Sequence, residues 1–179
     1  MILYRHAPPG LPFIWETADQ PEARWHGPGE GPAHYLADTP DGAWAELLRH
    51  EEITTPEELV GVQRAIWAIE VPDDIVEATA QPALEEVVLL GGVATYGACR
   101  DEARRLRDGG AAGLRAPSAA LMHGGAGGWR VDGGLRPGPP RNGTVVVLFR
   151  RRPELVAWPV VDQGRPRPEV LEHVRPLTS

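Results

Sequence analysis

Residues 33–50 read AHYLADTPDGAWAELLRH, and the rest of the chain is best understood outward from them. Ala33–Ala37 (AHYLA) reads as a short, mostly apolar strand. Thr39 suits a helix N-cap, because its hydroxyl oxygen can accept from the unpaired N–H groups of the first turn. Pro40 suits the first helical position, where an N–H has no partner in any case, and Asp41 complements the positive end of the helix dipole. The spacing predicts a helix from Pro40 to about His50, with Ala43, Trp44, Leu47 and Leu48 on its apolar face. Glu46 falls among those residues and borders the apolar face, so its carboxylate needs a partner, for which an arginine is the obvious choice.

Before this unit, Met1–Tyr4 reads as a first strand, followed by Pro8, Pro9, Gly10 and Pro12. Residues 16–32 are polar and loop-like, broken by Gly27, Pro28, Gly29, Gly31 and Pro32. After it, Thr55-Pro56-Glu57-Glu58 carries capping-box spacing and marks a second helix start. Gln63–Val71 reads as a strand closed by Pro72, and Ile75–Thr79 as another short strand. Residues 81–90 fit helix and strand equally. A helix opens at Thr95 or Tyr96 and ends at Gly109-Gly110, with Arg104, Arg105 and Arg107 near its negative end. Gly113–Ser118 is a short strand and turn. Residues 123–143, dense in glycine and proline, read as a long loop. Thr144–Phe149 (TVVVLF) is a buried central strand by its unbroken apolar run. Glu154–Val161 reads as a strand that Pro159 demotes to a sheet edge, and Glu169–Val174 holds one helical turn. Strands and helices interleave without an internal repeat or a second-domain linker. The 179 residues therefore make one α+β domain with a sizeable core.

Composition narrows the functional classes. The formal net charge of −7 argues against a nucleic-acid binder, which would present a basic surface. The run Arg150-Arg151-Arg152 is too short to reverse that. All 18 basic residues are arginine, which coding bias explains as well as function does. The single cysteine, Cys99, permits neither an intrachain disulfide nor a cysteine metal site. MILYRHAPPG has no secretory pattern, and the longest apolar run, near Val87–Val93, is far too short for a bilayer. The expectation is a cytoplasmic protein without a membrane or nucleic-acid partner.

Familiar chemistries fit poorly. Gly124–Gly128 follows no strand, opens no helix and lacks the lysine of a phosphate-binding P-loop. The histidines at 6, 26, 34, 50, 123 and 173 lack metal-ligand spacing, so no metal is expected. Ser118 lies in Ala-Pro-Ser-Ala rather than in a nucleophile elbow. One set stands out instead: Arg5 closes the first strand, Arg24 and Trp25 lie in a loop, Tyr35 in a strand, and Glu46 on the next helix. Arg24, Tyr35 and Glu46 are evenly spaced, although each also has a plain reading as a surface cation, a half-buried strand residue and a solvated helix position.

The ordered stretches Tyr4-Arg5, Arg24-Trp25-His26-Gly27-Pro28-Gly29, His34–Pro40, Ala43-Trp44-Ala45-Glu46, Tyr96-Gly97, Gly113-Leu114, Ala116-Pro117-Ser118-Ala119 and Asn142-Gly143 together resemble the RES-domain family, from about residue 4 to about 158. Residues 159–179 form a tail. Two departures are His26, where asparagine is expected, and the long glycine-rich segment between Ser118 and Asn142. The resemblance implies a fold similar to ADP-ribosyltransferase toxins, with two small β-sheets facing each other, helices around them and NAD in a central cleft. It also implies a toxin of a toxin–antitoxin pair that breaks the nicotinamide–ribose bond of NAD by phosphorolysis or hydrolysis. NAD is then the substrate, inorganic phosphate the co-substrate of phosphorolysis, and an antitoxin protein the partner.

That chemistry suits the residues. Nicotinamide leaves NAD from a cationic state, so no general acid is needed, and the ribose passes through an oxocarbenium-like state. Glu46 is the candidate to stabilise that charge. Arg5 and Arg24 can clamp pyrophosphate in bidentate fashion. Tyr35 can stack on nicotinamide or ribose, and Ser118 can donate a hydrogen bond. His6 and Trp25, neighbours of the two arginines, complete the expected binding set with Arg5 and Ser118, beside a catalytic set of Arg24, Tyr35 and Glu46. The competing readings are a protein ADP-ribosyltransferase using the same cleft and a non-catalytic binding module.

Overall fold

The computed structural model describes residues 1–14, 16–17 and 19–177. Ala18, within the expected 16–32 loop, and the last two residues of the tail lie outside the described residues. The strands are β1 (Ile2–Ala7), β2 (Ala33–Ala37), β3 (Arg64–Glu70), β4 (Thr79–Ala80), β5 (Gly113–Pro117), β6 (Trp129–Val131), β7 (Leu135–Pro137), β8 (Thr144–Phe149) and β9 (Val156–Gly164). The helices are α1 (Pro40–His50), α2 (Asp73–Glu77), α3 (Glu86–Leu90) and α4 (Tyr96–Asp108). The class is α+β: a mixed seven-stranded sheet in the order β4-β5-β8-β2-β1-β3-β9, and a small hairpin of β6 and β7.

The unbroken apolar run of β8 has a direct cause, since both of its faces are covered. Val145, Val147 and Phe149 pack with Trp25, Cys99 and Leu106. Val146 and Leu148 pack with Leu3, Leu36 and Ile69 on the opposite side. Gly113 on β5 allows this close pairing, because a Cβ there would sit 2.3 Å from the Val147 carbonyl oxygen.

The sheet does not divide into two separate facing sheets. It is continuous but weakly joined at its middle: β1 pairs with β3 along its whole length, from Ile2–Glu70 to Ala7–Ala65, whereas β1 and β2 share only the pair Tyr4–Ala37. Beyond that point the strands diverge. Helix α1 lies over the seam, packing Ala43, Trp44, Leu47 and Leu48 against Ala37 and Ile66. Burying each large side chain of this set contributes roughly 1.5–3 kcal/mol. The expected cap is present, with Thr39 Oγ1 accepting from the Gly42 N–H at 3.0 Å. Gly42 is needed for the close approach, as its Cβ would lie 3.1 Å from both Ala37 Cβ and Thr39 Oγ1.

Several local expectations change. The first strand runs on to Ala7. The Thr55 start yields only a 3-10 turn, Glu58–Gly61, although Glu58 does accept from the Thr54 and Thr55 N–H groups. Ile75–Thr79 is mostly helical, as α2 ahead of the two-residue β4, because Pro72 and the acidic pair Asp73-Asp74 favour a helix start. The ambiguous 81–90 segment becomes α3 in its second half. The 123–143 loop contains the β6–β7 hairpin, turning through Gly133 and Gly134, both at positive φ. The expected edge strand is present as β9, which pairs with β3 on one side alone and so tolerates the missing N–H of Pro159. The tail holds a 3-10 segment, Pro168–His173. Among the described residues no helix is long and apolar enough to cross a membrane.

Candidate active site

Where β1 and β2 part, a cavity of about 450 Å³ opens beneath α1, within the size range of small-ligand sites. Arg5, His6, Arg24, Trp25, Tyr35 and Glu46 all line it. Ser118 does not, but its neighbours Pro117 and Ala119 do, and its hydroxyl donates to Glu46 Oε1 at 3.3 Å. Six of the seven expected residues therefore share one cavity, and the seventh touches its carboxylate through the wall.

Glu46 is placed by α1: Trp44, Leu47 and Leu48 fix the buried face, and Glu46 faces the gap beside it. Burial pushes its carboxyl above the usual carboxylate range. The nearby Arg49 and Arg24 guanidiniums, the Ser118 bond and His50 pull the other way without prevailing. The result is a half-buried carboxyl facing a cavity, bonded by Ser118, with Arg24 and Arg49 nearby but no arginine nitrogen within 4.0 Å of it among the described residues. A group perturbed in this way marks a candidate functional site.

Tyr35 projects from β2 with its ring on the cavity. Its hydroxyl is committed elsewhere: it accepts from the Trp25 N–H at 2.9 Å and donates to His26 Nδ1 at 3.0 Å. His26 Nε2 in turn donates to the Pro21 carbonyl at 2.7 Å. This chain gives His26, the departure from asparagine, a definite task in holding the Arg24–Gly29 loop against β2. Burial raises the Tyr35 phenol well above its ordinary value, so it is neutral. Trp25 is 1% exposed, and its indole belongs mainly to the core.

The two arginines differ. Arg24 is 7% exposed, and its terminal nitrogens are turned onto the protein. Nη1 donates to the Val88 and Leu89 carbonyls at 3.3 and 3.2 Å, and Nη2 to the Gly91 carbonyl. These carbonyls lie at and just beyond the C-terminal end of α3. The guanidinium also stacks on Tyr96, 4.8 Å from the ring centroid. The bidentate fork expected for a pyrophosphate is thus already engaged. Arg5 is not so engaged: its Nη1 is buried without a hydrogen-bond partner, as is Nδ1 of His6. Burial, together with Arg5, Arg64 and His50, pushes His6 down to about 4, leaving it neutral.

Two further cavity residues, to which the sequence assigned no role, shape the site. Arg49, 6% exposed, donates to the Ala119 carbonyl and to the Gly91 carbonyl at 2.8 Å. It thereby ties α1 to the α3–α4 elbow and to the Ser118 turn. Its position three residues after Glu46 on a helix is the signal that could have found it. Tyr96, which stands in one of the matching stretches, lines the cavity under Arg24. Among the described residues no group of three His, Cys, Asp or Glu side chains forms a metal-binding cluster.

The sequence model of the RES domain matches residues 2–168. The chain belongs to the RES domain family. The match reaches beyond the 4–158 span at both ends and takes in β9, so the RES domain here comprises the whole seven-stranded sheet. No curated protein sequence matches the chain. Among solved structures it is similar to a chain in the crystal structure of the M. tuberculosis MbcT–MbcA toxin–antitoxin complex, with 19% sequence identity and a TM-score of 0.57. The similarity covers 96% of this chain and 86% of that one. At that identity the likeness is one of fold. Within this RES domain, six of the eight stretches that carried the family resemblance supply residues to the cavity at the β1–β2 seam; Gly113-Leu114 and Asn142-Gly143 do not.

Proposed function

We propose that this RES domain binds NAD in the seam cavity and breaks the nicotinamide–ribose bond, with water or inorganic phosphate as acceptor, as the toxin of a toxin–antitoxin pair whose antitoxin is a separate protein. The single observation that carries the reading is the half-buried Glu46 carboxyl, which faces the cavity with Arg49 nearby and Ser118 bonded to it. On this reading the fold is ADP-ribosyltransferase-like, the two halves of the sheet playing the part of facing sheets around the NAD cleft.

In the reaction the bond from ribose C1′ to the nicotinamide nitrogen breaks and its electron pair stays with the ring, which leaves neutral. Positive charge then develops on the ribose, and Glu46 lies ready as its counter-charge in a site of low dielectric, where such a contact is strongest. The acceptor oxygen bonds to C1′ and its proton passes to solvent. Tyr35 offers its ring as a stacking face. Arg5, with an unmatched Nη1, is the arginine free to meet a phosphate oxygen, while Arg24 and Arg49 hold the walls.

Purified protein incubated with NAD, with and without phosphate, and followed by mass analysis, tests this. Free nicotinamide together with ADP-ribose, or with its 1-phosphate when phosphate is supplied, is expected. No nicotinamide at high enzyme concentration with phosphate present refutes the reading. Release only on adding a protein acceptor would reassign the chain as a protein ADP-ribosyltransferase.

A further inference from the structure

A second cavity, of about 390 Å³, lies behind the wall that bounds the first. Pro117 lines both, and Ser118, whose hydroxyl reaches Glu46 from the wall, lines the second. Arg49, crossing from α1 to the Ala119 and Gly91 carbonyls, completes the partition.

The lining of the second cavity is rich in hydrogen-bond donors with little to donate to. Arg175 gives one hydrogen bond, from Nη2 to the Leu121 carbonyl at 3.2 Å, and its Nε is buried without a partner. Arg115 makes only long contacts, 3.4 Å to the Val76 carbonyl and 3.5 Å to Thr79 Oγ1. Among the described residues neither guanidinium has a carboxylate within 4.0 Å, unlike the paired arginines elsewhere on the chain. Asn142 accepts the Gly124 N–H through Oδ1 at 3.0 Å, which leaves its amide NH₂ as a further donor. Glu86, also in the lining, already pairs with His123 at 3.3 Å, and both are well exposed. A concave site with two unmatched guanidiniums on a chain of net charge −7 is a local reversal of the protein's field, and such a site concentrates anions.

We propose that this second cavity binds a phosphate group, held by Arg115 and Arg175 with Asn142 assisting. A phosphate offers several acceptor oxygens around one centre, which suits two guanidiniums and an amide that line the same cavity. Two sources share this chemistry: free inorganic phosphate, and the phosphate of a nucleotide. The binding stands on the cavity alone. Its use rests on the NAD reading, in which the cavity stores the phosphate co-substrate or seats a phosphate of NAD, with Ser118 as the shared wall.

The test is made without NAD. Inorganic phosphate and, separately, adenosine monophosphate are titrated into the purified chain at constant ionic strength, with chloride as control anion, and binding is read by calorimetry. Saturable binding is expected for at least one of them, weakened tenfold or more by Arg115→Gln and by Asn142→Asp. The latter keeps the acceptor for Gly124 while placing a negative charge in the cavity, and melts of the ligand-free variants control for folding. Binding of phosphate alone identifies the free anion as the source, and binding of the nucleotide alone identifies the nucleotide. No saturable binding of either, or unchanged binding in both variants, overturns the proposal. Binding without nicotinamide release leaves the phosphate site standing and removes the NAD reading, and release without binding does the reverse.

Discussion

Glu46→Gln separates the chemistry of the cavity from its packing. The substitution preserves size and most hydrogen bonding, so the Ser118 hydroxyl still finds an acceptor. What is lost is the negative charge. Removing one preorganised electrostatic contact from a transition state typically costs on the order of 10²–10³ in rate, about 3–4 kcal/mol. The effect on stability has the opposite sign. Burial outweighs the pull of Arg49, Arg24, Ser118 and His50, so the folded pKa lies above the unfolded one. Between those values the native state binds more protons than the unfolded chain, and stability is lost as pH rises through that window. At neutral pH Glu46 is therefore a net cost to stability, which the neutral glutamine avoids. Neither arginine depends on it, because their terminal nitrogens already reach backbone carbonyls. The variant should melt at the same temperature or higher; a gain of about 1 kcal/mol would appear as roughly 2–4 °C in a chain of this size. The assay is turnover of NAD, NAD affinity and a thermal melt at pH 7 for both proteins. Turnover should fall steeply while affinity changes little. A folded Glu46→Gln protein with near-normal turnover would remove Glu46 from the mechanism.

Three further outcomes follow from the packing. His6 and His34 are both pushed down to about 4, chiefly by burial. The stability their neutral forms contribute is complete above about 6.5 and is lost as pH falls toward 4, by an amount on the order of 3 kcal/mol per histidine; urea unfolding between pH 7.5 and 4.5 should show the slope, and His34→Gln should flatten it. Tyr35→Phe leaves the Trp25 N–H and His26 Nδ1 without the hydroxyl they share, and should lower stability by about 1–3 kcal/mol in the same titration. Gly113→Ala forces a Cβ to 2.3 Å from the Val147 carbonyl oxygen and should cost about 1–3 kcal/mol, whereas Gly97→Ala, with nothing within 4 Å of the new methyl, should stabilise α4 by up to about 1 kcal/mol. A thermal melt in which both alanine variants behave alike would contradict the packing at β5.

What the sequence discloses depends on how local the physics is. The α1 boundaries, Pro40 to His50, were legible because a cap, a first-turn proline and a 3.6-residue apolar stripe act within a dozen residues. Strand β8 was legible because an unbroken apolar run has few other homes. The helical start after Pro72 was obscured because Ile75 and Val76 favour strand by propensity while acidic residues ahead of them favour a helix. The β6–β7 hairpin was hidden in a glycine-rich stretch whose turn, Gly133-Gly134, resembles any loop. The seam between β1 and β2 was beyond reach, since it arises from two strands that share one pair and are brought together across residues 8–32.

The arginines show the same limit in the candidate site itself. Sequence can say that a carboxylate on the edge of an apolar face needs a cation, but not which cation answers it or what else that cation touches. Arg24 looked free to bind a ligand because the carbonyls it meets belong to α3, more than 60 residues away. Arg49 was overlooked because its partners, Ala119 and Gly91, are also remote, 70 and 42 residues along the chain. Both arginines converge on the Gly91 carbonyl, so one backbone oxygen joins the loop before β2, the helix that carries Glu46 and the elbow that carries Tyr96. The cations near Glu46 are therefore fixed by the fold before any substrate arrives. Arg5, across the seam with an unmatched Nη1, is left as the cation that a ligand phosphate can complete. On the proposed NAD reading, a site built this way keeps its reorganisation cost low at the moment charge develops, which is the condition under which a single preorganised carboxylate is enough.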